Sequence, residues 1–360
     1  MIRVLLVDDS PLALAVLKGL LSKDSGIEVV GTSPNGKEAL ELIPRVKPDV
    51  ICTDLHMPVM DGLVFTRNVM ASHALPILLV SVSGRRESRE AFEVLQAGAV
   101  DVFLKPRGGS DTENEKAAKE LTSKIRILAG VKVFRRTVRP HESPGGPTSA
   151  ANPPGSTNRV PVAVVVLGAS TGGPQALGVI LKHLSPRFPA PILCVQHISV
   201  GFLQGLIDWL SSQCSLKLEI ARSGAIPLPG HVYFATEETH LKIDEMGRFE
   251  VSTQPPWDGH RPSVTITMKS VAEHFGDAAL GVLLTGMGSD GAEGLLAIRK
   301  VGGLTIAQDE SSCAVFGMPQ VAIRMDAVAR VIPLQDIGAF LMLQVQKPAE
   351  QRGRRWLFRN

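Results

Sequence analysis

Residues 164–177, VVVLGASTGGPQAL, run from a buried-strand pattern through a glycine-rich turn into an apolar helical pattern. Strand, short turn and helix in this order form the repeating unit of a parallel α/β sheet. The serine at the turn, Ser170, fits Gly-x-Ser-x-Gly, a geometry that exposes a serine hydroxyl above the carboxyl end of such a sheet. Glycine-flanked serines also occur in plain turns, so the stretch predicts the fold and leaves the role of the serine open.

A phosphate-binding turn is the alternative interpretation of the same stretch. It is weaker, because the lysine and second hydroxyl of a Walker loop are absent and no acid about 20 residues further on marks a ribose site. A nucleotide enzyme built on residues 168–173 stays open at this point. A nucleotide-induced change in melting temperature would reveal it.

Strand and helix patterns also alternate in the first part of the chain. Five short runs rich in Val, Ile and Leu are separated by five segments of helical period, which predicts a doubly wound (βα)5 domain of the α/β class. The strand candidates are 2–7, 27–31, 49–53, 76–80 and 100–104, and the helix candidates are 12–22, 36–46, 61–71, 85–97 and 113–128.

The alternation resumes after a segment dense in Pro, Gly, Ser and Arg, which predicts a flexible linker before a second α/β domain with a mostly parallel sheet. Residues 240–251 read instead as a hairpin. The predicted strands are 162–167, 191–196, 216–220, 231–235, 280–285 and 304–307, and the predicted helices are 173–184, 201–212, 264–275, 289–300 and 334–345. The predicted domains are 1–125 and 161–346, with the linker at 126–160 and a basic tail at 347–360.

Composition restricts the class of protein. No stretch approaches the roughly 18 uninterrupted apolar residues of a membrane span, and acids interrupt the N-terminus where a signal peptide would be apolar, so a cytoplasmic protein is expected. The net charge of +3 comes from the tail, whose five basic residues and one acid sum to +4. With no basic surface elsewhere, neither nucleic-acid binding nor transcriptional regulation is expected. The 4 cysteines match no metal-ligand spacing and are expected to be packed thiols.

Polar residues follow four strands of the first predicted sheet at their carboxyl ends, where open parallel sheets bind ligands. These residues are Asp8 with Asp9, Asp54, Ser81 and Lys105. Three carboxylates at one edge repel one another unless a cation lies among them, and Mg²⁺ prefers such oxygen ligands. A carboxylate so placed can accept a phosphoryl group, whose oxygens the lysine and serine would hold. The alternative, that each acid caps the following helix, does not account for four strand ends together.

A serine nucleophile needs a base within hydrogen-bond reach and a carboxylate that orients the base. His197 follows a buried-strand pattern at its carboxyl end, and Asp290 follows another apolar strand and a glycine turn. An N-cap of the next helix is the alternative role for Asp290. The chain order Ser, His, Asp differs from that of the α/β-hydrolases, so an ordinary member of that fold is not expected. Three further histidines remain alternatives as the base: His231, His240 and His260.

Two backbone amides are candidates for stabilising the negative oxygen that forms during acyl transfer. One is the amide of Thr171, directly after the serine, and the other is the amide of Met287, which its flanking glycines let point inward. Each such donor is typically worth about 3 kcal/mol.

The first domain resembles the response-regulator receiver domain over about residues 1–125, in the segments VDDS, TDLHMPVMDG, VSVS and AGAVDVFLKP. The resemblance implies phosphorylation of Asp54 by a chemotaxis histidine kinase, with Mg²⁺ as cofactor. The implied metal ligands are Asp8, Asp9, Asp54 and the backbone carbonyl of His56, and the implied switch pair is Ser81 and Lys105. One departure is Val102, which stands where many receivers have an aromatic switch residue.

The second domain resembles the CheB family of chemotaxis protein-glutamate methylesterases, in GASTGGPQAL, CVQHIS, HRPSV, LLTGMGSDGAEGL and AQDESSCAVFGMPQ. The resemblance implies that Ser170 attacks glutamyl γ-methyl esters of methyl-accepting chemotaxis receptors, with His197 as general base and Asp290 as its orienting acid. It implies that the Met287 amide is an oxyanion donor. It also implies deamidation of receptor glutamines as a second activity. The family usually has Asp after HRPSV, whereas this chain has Thr265. We expect a monomer that does not insert into the membrane and has no cofactor in the catalytic domain.

A phosphoacceptor domain fused to a reactive domain suggests a population shift. The unphosphorylated receiver is expected to pack over the Ser170 edge, and phosphorylation of Asp54 to weaken that packing. On this hypothesis Asp54→Ala lowers stimulated activity only, and deleting residues 1–150 raises the basal rate. A phosphorylation-controlled adaptor is the main rival, and it would keep its function after Ser170→Ala.

Overall fold

The computed structural model describes residues 1–82, 85–106, 111–131 and 160–345. Its first domain is a five-stranded parallel sheet in the order β2-β1-β3-β4-β5 with helices between the strands, which confirms the predicted doubly wound fold. The strands are β1 (Ile2–Val7), β2 (Ile27–Ser33), β3 (Val50–Thr53), β4 (Ile77–Ser81) and β5 (Asp101–Leu104), and the helices are α1 (Pro11–Leu21), α2 (Gly36–Val46), α3 (Gly62–Ser72), α4 (Arg85–Ala97) and α5 (Asp111–Leu128).

The helix N-termini of this domain are capped by residues other than the strand-end acids. Ser10, Asn35 and Asp61 cap α1, α2 and α3, each accepting a hydrogen bond from an amide of the first turn. Asp54 therefore does not cap the helix that follows it. Because capping by local polar side chains already satisfies these amides, the acids at the strand ends are left for another role.

The second domain has a seven-stranded sheet whose pairs are all parallel, in the order β14-β13-β12-β6-β7-β9-β8. Its strands are β6 (Val164–Ala169), β7 (Ile192–Gln196), β8 (Lys217–Ile220), β9 (His231–Phe234), β12 (Ala279–Leu283), β13 (Leu304–Gln308) and β14 (Arg330–Ile332). The helices are α6 (Gly173–Lys182), α7 (Leu203–Ser211), α8 (Val264–Phe275), α9 (Ala292–Lys300), α10 (Met318–Arg324) and α11 (Leu334–Gln344).

The predicted hairpin is confirmed: β10 (His240–Ile243) and β11 (Phe249–Ser252) pair antiparallel. Two short elements, α10 and β14, were not expected from the sequence. The strand β14 pairs at the sheet edge and is only three residues long. A segment this short does not show a recognisable hydrophobic periodicity.

Strand order fixes where the second domain can bind a ligand. The chain enters the sheet at β6, adds β7 on one side and later adds β12 on the other. A crevice at such a reversal, outside the carboxyl ends of the strands, is where open α/β sheets bind ligands. The residues after β6, β7 and β12 therefore share one edge.

The two domains pack through α4 of the first and α7 of the second. Phe92 and Trp209 stack with ring centroids 5.7 Å apart. The Ser88 hydroxyl donates to the Gly201 carbonyl at 2.9 Å, and Phe92 belongs to the same buried hydrophobic cluster as Leu206. The helix α5 continues to Leu128, three residues past the predicted boundary at 125. Most of the predicted linker and the predicted tail lie outside the described residues.

No helix among the described residues is long and apolar enough to cross a membrane.

Candidate active site

Ser170 lies at the carboxyl end of β6, where its backbone is held on three sides. Its amide donates to the Thr285 carbonyl at 3.0 Å, and its carbonyl accepts from the Gly173 amide at 2.8 Å. The buried side chain of Gln196 donates to the same carbonyl at 2.8 Å. The turn is therefore rigid, and Ser170 is presented by fixed backbone.

Two glycines are required for this turn by close approach as well as conformation. Gly172 has a φ of +76°, and a Cβ on it would lie 2.6 Å from the Cβ of Ala314. A Cβ on Gly173 would lie 2.0 Å from Oε1 of Gln196. Such distances are below any tolerated contact, so the glycines serve packing around Ser170 rather than a phosphate.

His197 and Asp290 are joined by a hydrogen bond. Nε2 of His197 lies 2.9 Å from Oδ2 of Asp290. His197 directly follows β7, and its side chain is 11% exposed, whereas the Asp290 side chain is fully buried. The structure thus brings together the predicted base and the predicted orienting acid.

The carboxylate of Asp290 is held by the start of α8. The donors to Oδ1 are the Ser263 hydroxyl at 2.8 Å and the amides of Thr265 and Gly291 at 2.9 Å, and the second donor to Oδ2 is the Val264 amide at 2.7 Å. Burial alone would raise the pKa of Asp290, but the hydrogen bond and charge of His197, with the α8 donors, hold that pKa well below its ordinary value. Asp290 does not cap α9, whose N-cap Gly291 has no side-chain hydrogen bond.

The hydrogen bond to Asp290 decides which ring nitrogen of His197 is left to accept a proton. With Nε2 donating to the carboxylate, Nδ1 carries the free lone pair, and Nδ1 is buried without a hydrogen-bond partner among the described residues. No hydrogen bond between Ser170 and His197 is present in the described part of the chain. The two residues nonetheless follow neighbouring strands, because the His197 amide donates to the Ala169 carbonyl at 2.9 Å.

The two amides expected to hold an oxyanion belong to Thr171, which directly follows Ser170, and to Met287, which directly follows Gly286. A Cβ on Gly286 would lie 2.7 Å from Cβ of Ser170, so the backbone leading to Met287 passes against the serine. Within the described residues, neither the Thr171 amide nor the Met287 amide donates a hydrogen bond. Both donors are therefore free for a negatively charged oxygen.

The three alternative histidines have other partners. His260 stacks face to face on His197, with ring centroids 4.2 Å apart and an interplanar angle of 3°. Burial lowers the pKa of His260, and the nearby His197 lowers it further. His240 is fully buried beneath α8, and His231 lies at the opposite, amino end of β9. The sequence did not reveal that His260 stacks on His197 or that His240 bonds to the amide of Ser263, whose hydroxyl holds Asp290.

The first domain brings its strand-end residues together as expected. Oxygens of Asp8, Asp9 and Asp54 all lie within 4.8 Å of one another. Nζ of Lys105 lies 2.6 Å from Oδ2 of Asp8 and 2.9 Å from Oδ2 of Asp54. Three carboxylates this close suit a hard divalent cation, and Ser81 is buried at the end of the adjacent strand.

Electrostatics at this cluster follow from burial and from Lys105. Burial raises the pKa of Asp54, and the charge of Asp8 adds to the increase, against the lowering effect of Lys105. Burial would lower the pKa of Lys105, but its bonds to Asp8 and Asp54 raise it. Nε2 of His56 lies 3.0 Å from Oε2 of Glu90 in α4, and the carboxylate cluster itself consists of Asp8, Asp9 and Asp54.

The first domain contacts the loops that follow Ser170 and His197. The Thr171 hydroxyl donates to Oδ2 of Asp101 at 3.0 Å, and Lys124 of α5 lies 2.8 Å from the same oxygen. Gln175 donates to the Ala99 carbonyl at 2.9 Å. The hydroxyl of Ser199, two residues after His197, donates to Oε1 of Glu120 in α5 at 3.2 Å. Asp101 and Gln175 were not identified from the sequence, because pairing between domains leaves no local pattern.

Comparison with known proteins gives two family matches. The family described as CheB methylesterase matches residues 165–341, and the family described as response regulator receiver domain matches residues 4–114. The protein-glutamate methylesterase/protein-glutamine glutaminase 2 of Methanospirillum hungatei is 42% identical over 348 residues, covering 95% of this chain and 97% of that protein. The corresponding protein of Nitrosospira multiformis is 39% identical over 354 residues, covering 98% and 99%. The crystal structure of the Thermotoga maritima CheB methylesterase catalytic domain is 35% identical, covers 51% of this chain and 99% of that one, and has a TM-score of 0.48.

Proposed function

The chain belongs to the CheB methylesterase family, and we propose that it hydrolyses glutamyl γ-methyl esters of chemoreceptors through Ser170, His197 and Asp290. The single observation that carries the residue assignment is the His197–Asp290 hydrogen bond, which leaves Nδ1 of His197 unpartnered at the same sheet edge as Ser170. The predicted recognition is confirmed by relatives that align over nearly the whole chain.

The reaction begins with proton transfer from Ser170 to Nδ1 of His197. The serine oxygen attacks the ester carbonyl carbon, and Asp290 stabilises the imidazolium that forms. The tetrahedral intermediate then collapses: the bond to the methoxy oxygen breaks, and His197 returns the proton, releasing methanol. Water, activated by His197 in the same way, hydrolyses the glutamyl-serine ester and frees both the receptor carboxylate and the serine.

The negative oxygen of each tetrahedral intermediate would be held by the amides of Thr171 and Met287. Both lack an acceptor within the described chain, and the rigid turns after β6 and β12 fix them before the substrate arrives. Such preorganised donors act most strongly where water is excluded. The same route converts a glutamine to glutamate, with ammonia in place of methanol as the leaving group, which is consistent with the glutaminase named in the relatives.

Phosphorylation of Asp54 is the proposed control. When bound, Mg²⁺ neutralises the charge on the phosphoryl oxygens, and Asp8, Asp9, Asp54 and the His56 carbonyl would hold it. Ser81 and Lys105 would contact the phosphoryl group, which a chemotaxis histidine kinase supplies. Lys105 now bonds to Asp8 and Asp54, so a phosphoryl group would change its partners.

The contacts between the domains support occlusion as the means of control. Asp101 bonds to Thr171, and Gln175 bonds to the first domain, so the receiver lies against the turn that carries Ser170. A receptor helix entering that edge would have to displace these contacts. Because about 1.4 kcal/mol changes an equilibrium tenfold, losing one or two hydrogen bonds of about 1 kcal/mol each would raise the ratio of open to closed molecules by about tenfold.

Ser170→Ala tests the catalytic assignment. Receptor fragments carrying labelled methyl groups should release labelled methanol with the wild-type chain, faster with a small phosphodonor, and not with the variant. Ser185→Ala is the matched control and should retain activity, because within the described residues the Ser185 hydroxyl accepts only from the Arg187 amide. Full activity of Ser170→Ala would instead favour the adaptor. We expect the enzyme in the cytoplasm, where its free cysteines stay reduced.

A further inference from the structure

We propose that His240 is a positioning residue for the hydrolysis: it fixes Ser263 and, through Ser263, the carboxylate that orients His197. The proposal rests on the triad proposed above. It adds a residue that lies outside the sheet edge, on the hairpin strand β10, and that touches neither Ser170 nor His197 in the described contacts.

The contacts of His240 define its protonation pattern. Nε2 lies 3.1 Å from the Pro255 carbonyl, which can only accept, so Nε2 carries the proton. Nδ1 lies 3.2 Å from the Ser263 amide nitrogen, which can only donate, so Nδ1 is the acceptor. The ring is fully buried. A neutral imidazole with one tautomer therefore bridges the two backbone segments.

Ser263 passes this constraint to Asp290. Its hydroxyl donates to Oδ1 of Asp290 at 2.8 Å and accepts from the Ile266 amide at 3.3 Å as the N-cap of α8. The next two amides, of Val264 and Thr265, bind the two oxygens of the same carboxylate. Three donors to Asp290 thus come from consecutive residues, and a shift of Ser263 moves all three.

Other hydrogen bonds also join the hairpin to α8, so their loss can be compared with the loss of His240 to test for a purely structural role. The Thr267 hydroxyl donates to the Leu241 carbonyl at 2.7 Å, and the Ser270 hydroxyl accepts from the Ile243 amide at 3.0 Å. These contacts join the same two elements but do not involve Asp290. Within the described residues, the Thr267 hydroxyl also donates to the Ser263 carbonyl at 3.3 Å, whereas the Ser270 hydroxyl contacts neither Ser263 nor Asp290.

The test compares His240→Leu, His240→Asn and Ser270→Ala in the full chain, because Ser270→Ala removes a bond between the hairpin and α8 that does not involve Ser263. Leu removes the acceptor for Ser263, and because small misplacements at a site of this kind cost up to about 100-fold, we expect kcat to fall by about 10- to 100-fold with KM unchanged. Asn offers a side-chain oxygen near the position of Nδ1 and should recover most of the loss. Ser270→Ala should lower Tm without lowering kcat. A fall in kcat for Ser270→Ala as large as for His240→Leu would overturn the proposal.

A second readout separates this proposal from the triad itself. The rate at which a fluorophosphonate labels Ser170 reports activation of the serine without any receptor substrate. If the wild type is labelled and Ser170→Ala is not, Ser170 is the activated serine. If His240→Leu is then labelled at the wild-type rate, the positioning role of His240 is refuted and the triad is not. No labelling of the wild type at Ser170 refutes the triad. If His240→Leu does not fold, the test uses Ser263→Ala. This variant keeps the amide held by His240 but removes the hydroxyl bound to Asp290, and its kcat must fall while its KM is unchanged.

Discussion

Replacing Asp290 by Asn should nearly abolish hydrolysis while leaving the protein folded. Oδ1 of the native carboxylate faces three donors, and Oδ2 faces the Val264 amide and Nε2 of His197. An asparagine has only one oxygen, which will take the side with three donors. Its NH₂ group then faces Val264 and His197.

This orientation reverses the tautomer of His197. Nε2 must accept from the new NH₂ group, so the ring proton moves to Nδ1, the nitrogen that Ser170 needs as base. The corresponding change in another serine hydrolase lowers kcat by about 10⁴-fold, and that factor equals about 5 kcal/mol of transition-state stabilisation. We expect a loss of the same order here.

The free energy of unfolding of Asp290→Asn should change much less than its transition-state stabilisation. The Val264 amide loses its acceptor inside the protein, which costs about 2 kcal/mol and lowers Tm by roughly 4–8 °C for a domain of this size. The assay is labelled methanol release from methylated receptor fragments, run well below the Tm of the variant. Asp309→Asn, at the carboxyl end of neighbouring β13 and outside the triad, is the matched control. If Asp290→Asn retains activity within tenfold of wild type, the assignment of Nδ1 as the base is wrong.

Four further changes test other parts of the site. Asp101→Ala removes the acceptor of the Thr171 hydroxyl and should raise basal methanol release up to about tenfold; an unchanged basal rate argues against occlusion. Asp54→Ala should abolish the response to a phosphodonor while leaving the basal rate, and a retained response would place the phosphoryl group elsewhere. Because the pKa of His260 is lowered in the fold, the unfolded chain binds more protons below about pH 6.5 and stability falls on acidification; His260→Phe should lose less Tm than wild type between about pH 7.5 and about pH 5.5, and equal losses would contradict this. Gly173→Ala drives a Cβ into Gln196 and should lower both Tm and activity; full activity would show that the turn can adjust.

The fold was accessible from the sequence because each domain repeats one local pattern. Residues 164–169 and 192–195 are continuous apolar segments, as is typical of strands buried on both faces. Since parallel strands bring their carboxyl ends to one edge, the sequence predicts that Ser170, His197 and Asp290 lie together.

What the sequence could not supply are contacts between distant segments. His260 lies 63 residues after His197 in the chain, and nothing local indicates that the rings stack. Asp290 has the sequence position of an N-cap for α9 but accepts from the amides of α8 instead. Thr265, which follows HRPSV in the sequence, accepts a hydrogen bond from the Gly291 amide at 2.7 Å. The hydroxyl thus fills a structural role beside Asp290. The monomeric state stays a prediction.

Trapping the covalent intermediate tests most directly whether Ser170 is the nucleophile. A methylated receptor peptide is mixed with the full chain, quenched in acid within one turnover, and the digest is searched by mass spectrometry. We expect a glutamyl ester on the peptide that contains Ser170, absent in Ser170→Ala and formed far more slowly in Asp290→Asn. Turnover with no adduct at Ser170, or with an adduct on another residue such as Cys313, would contradict the assignment of Ser170.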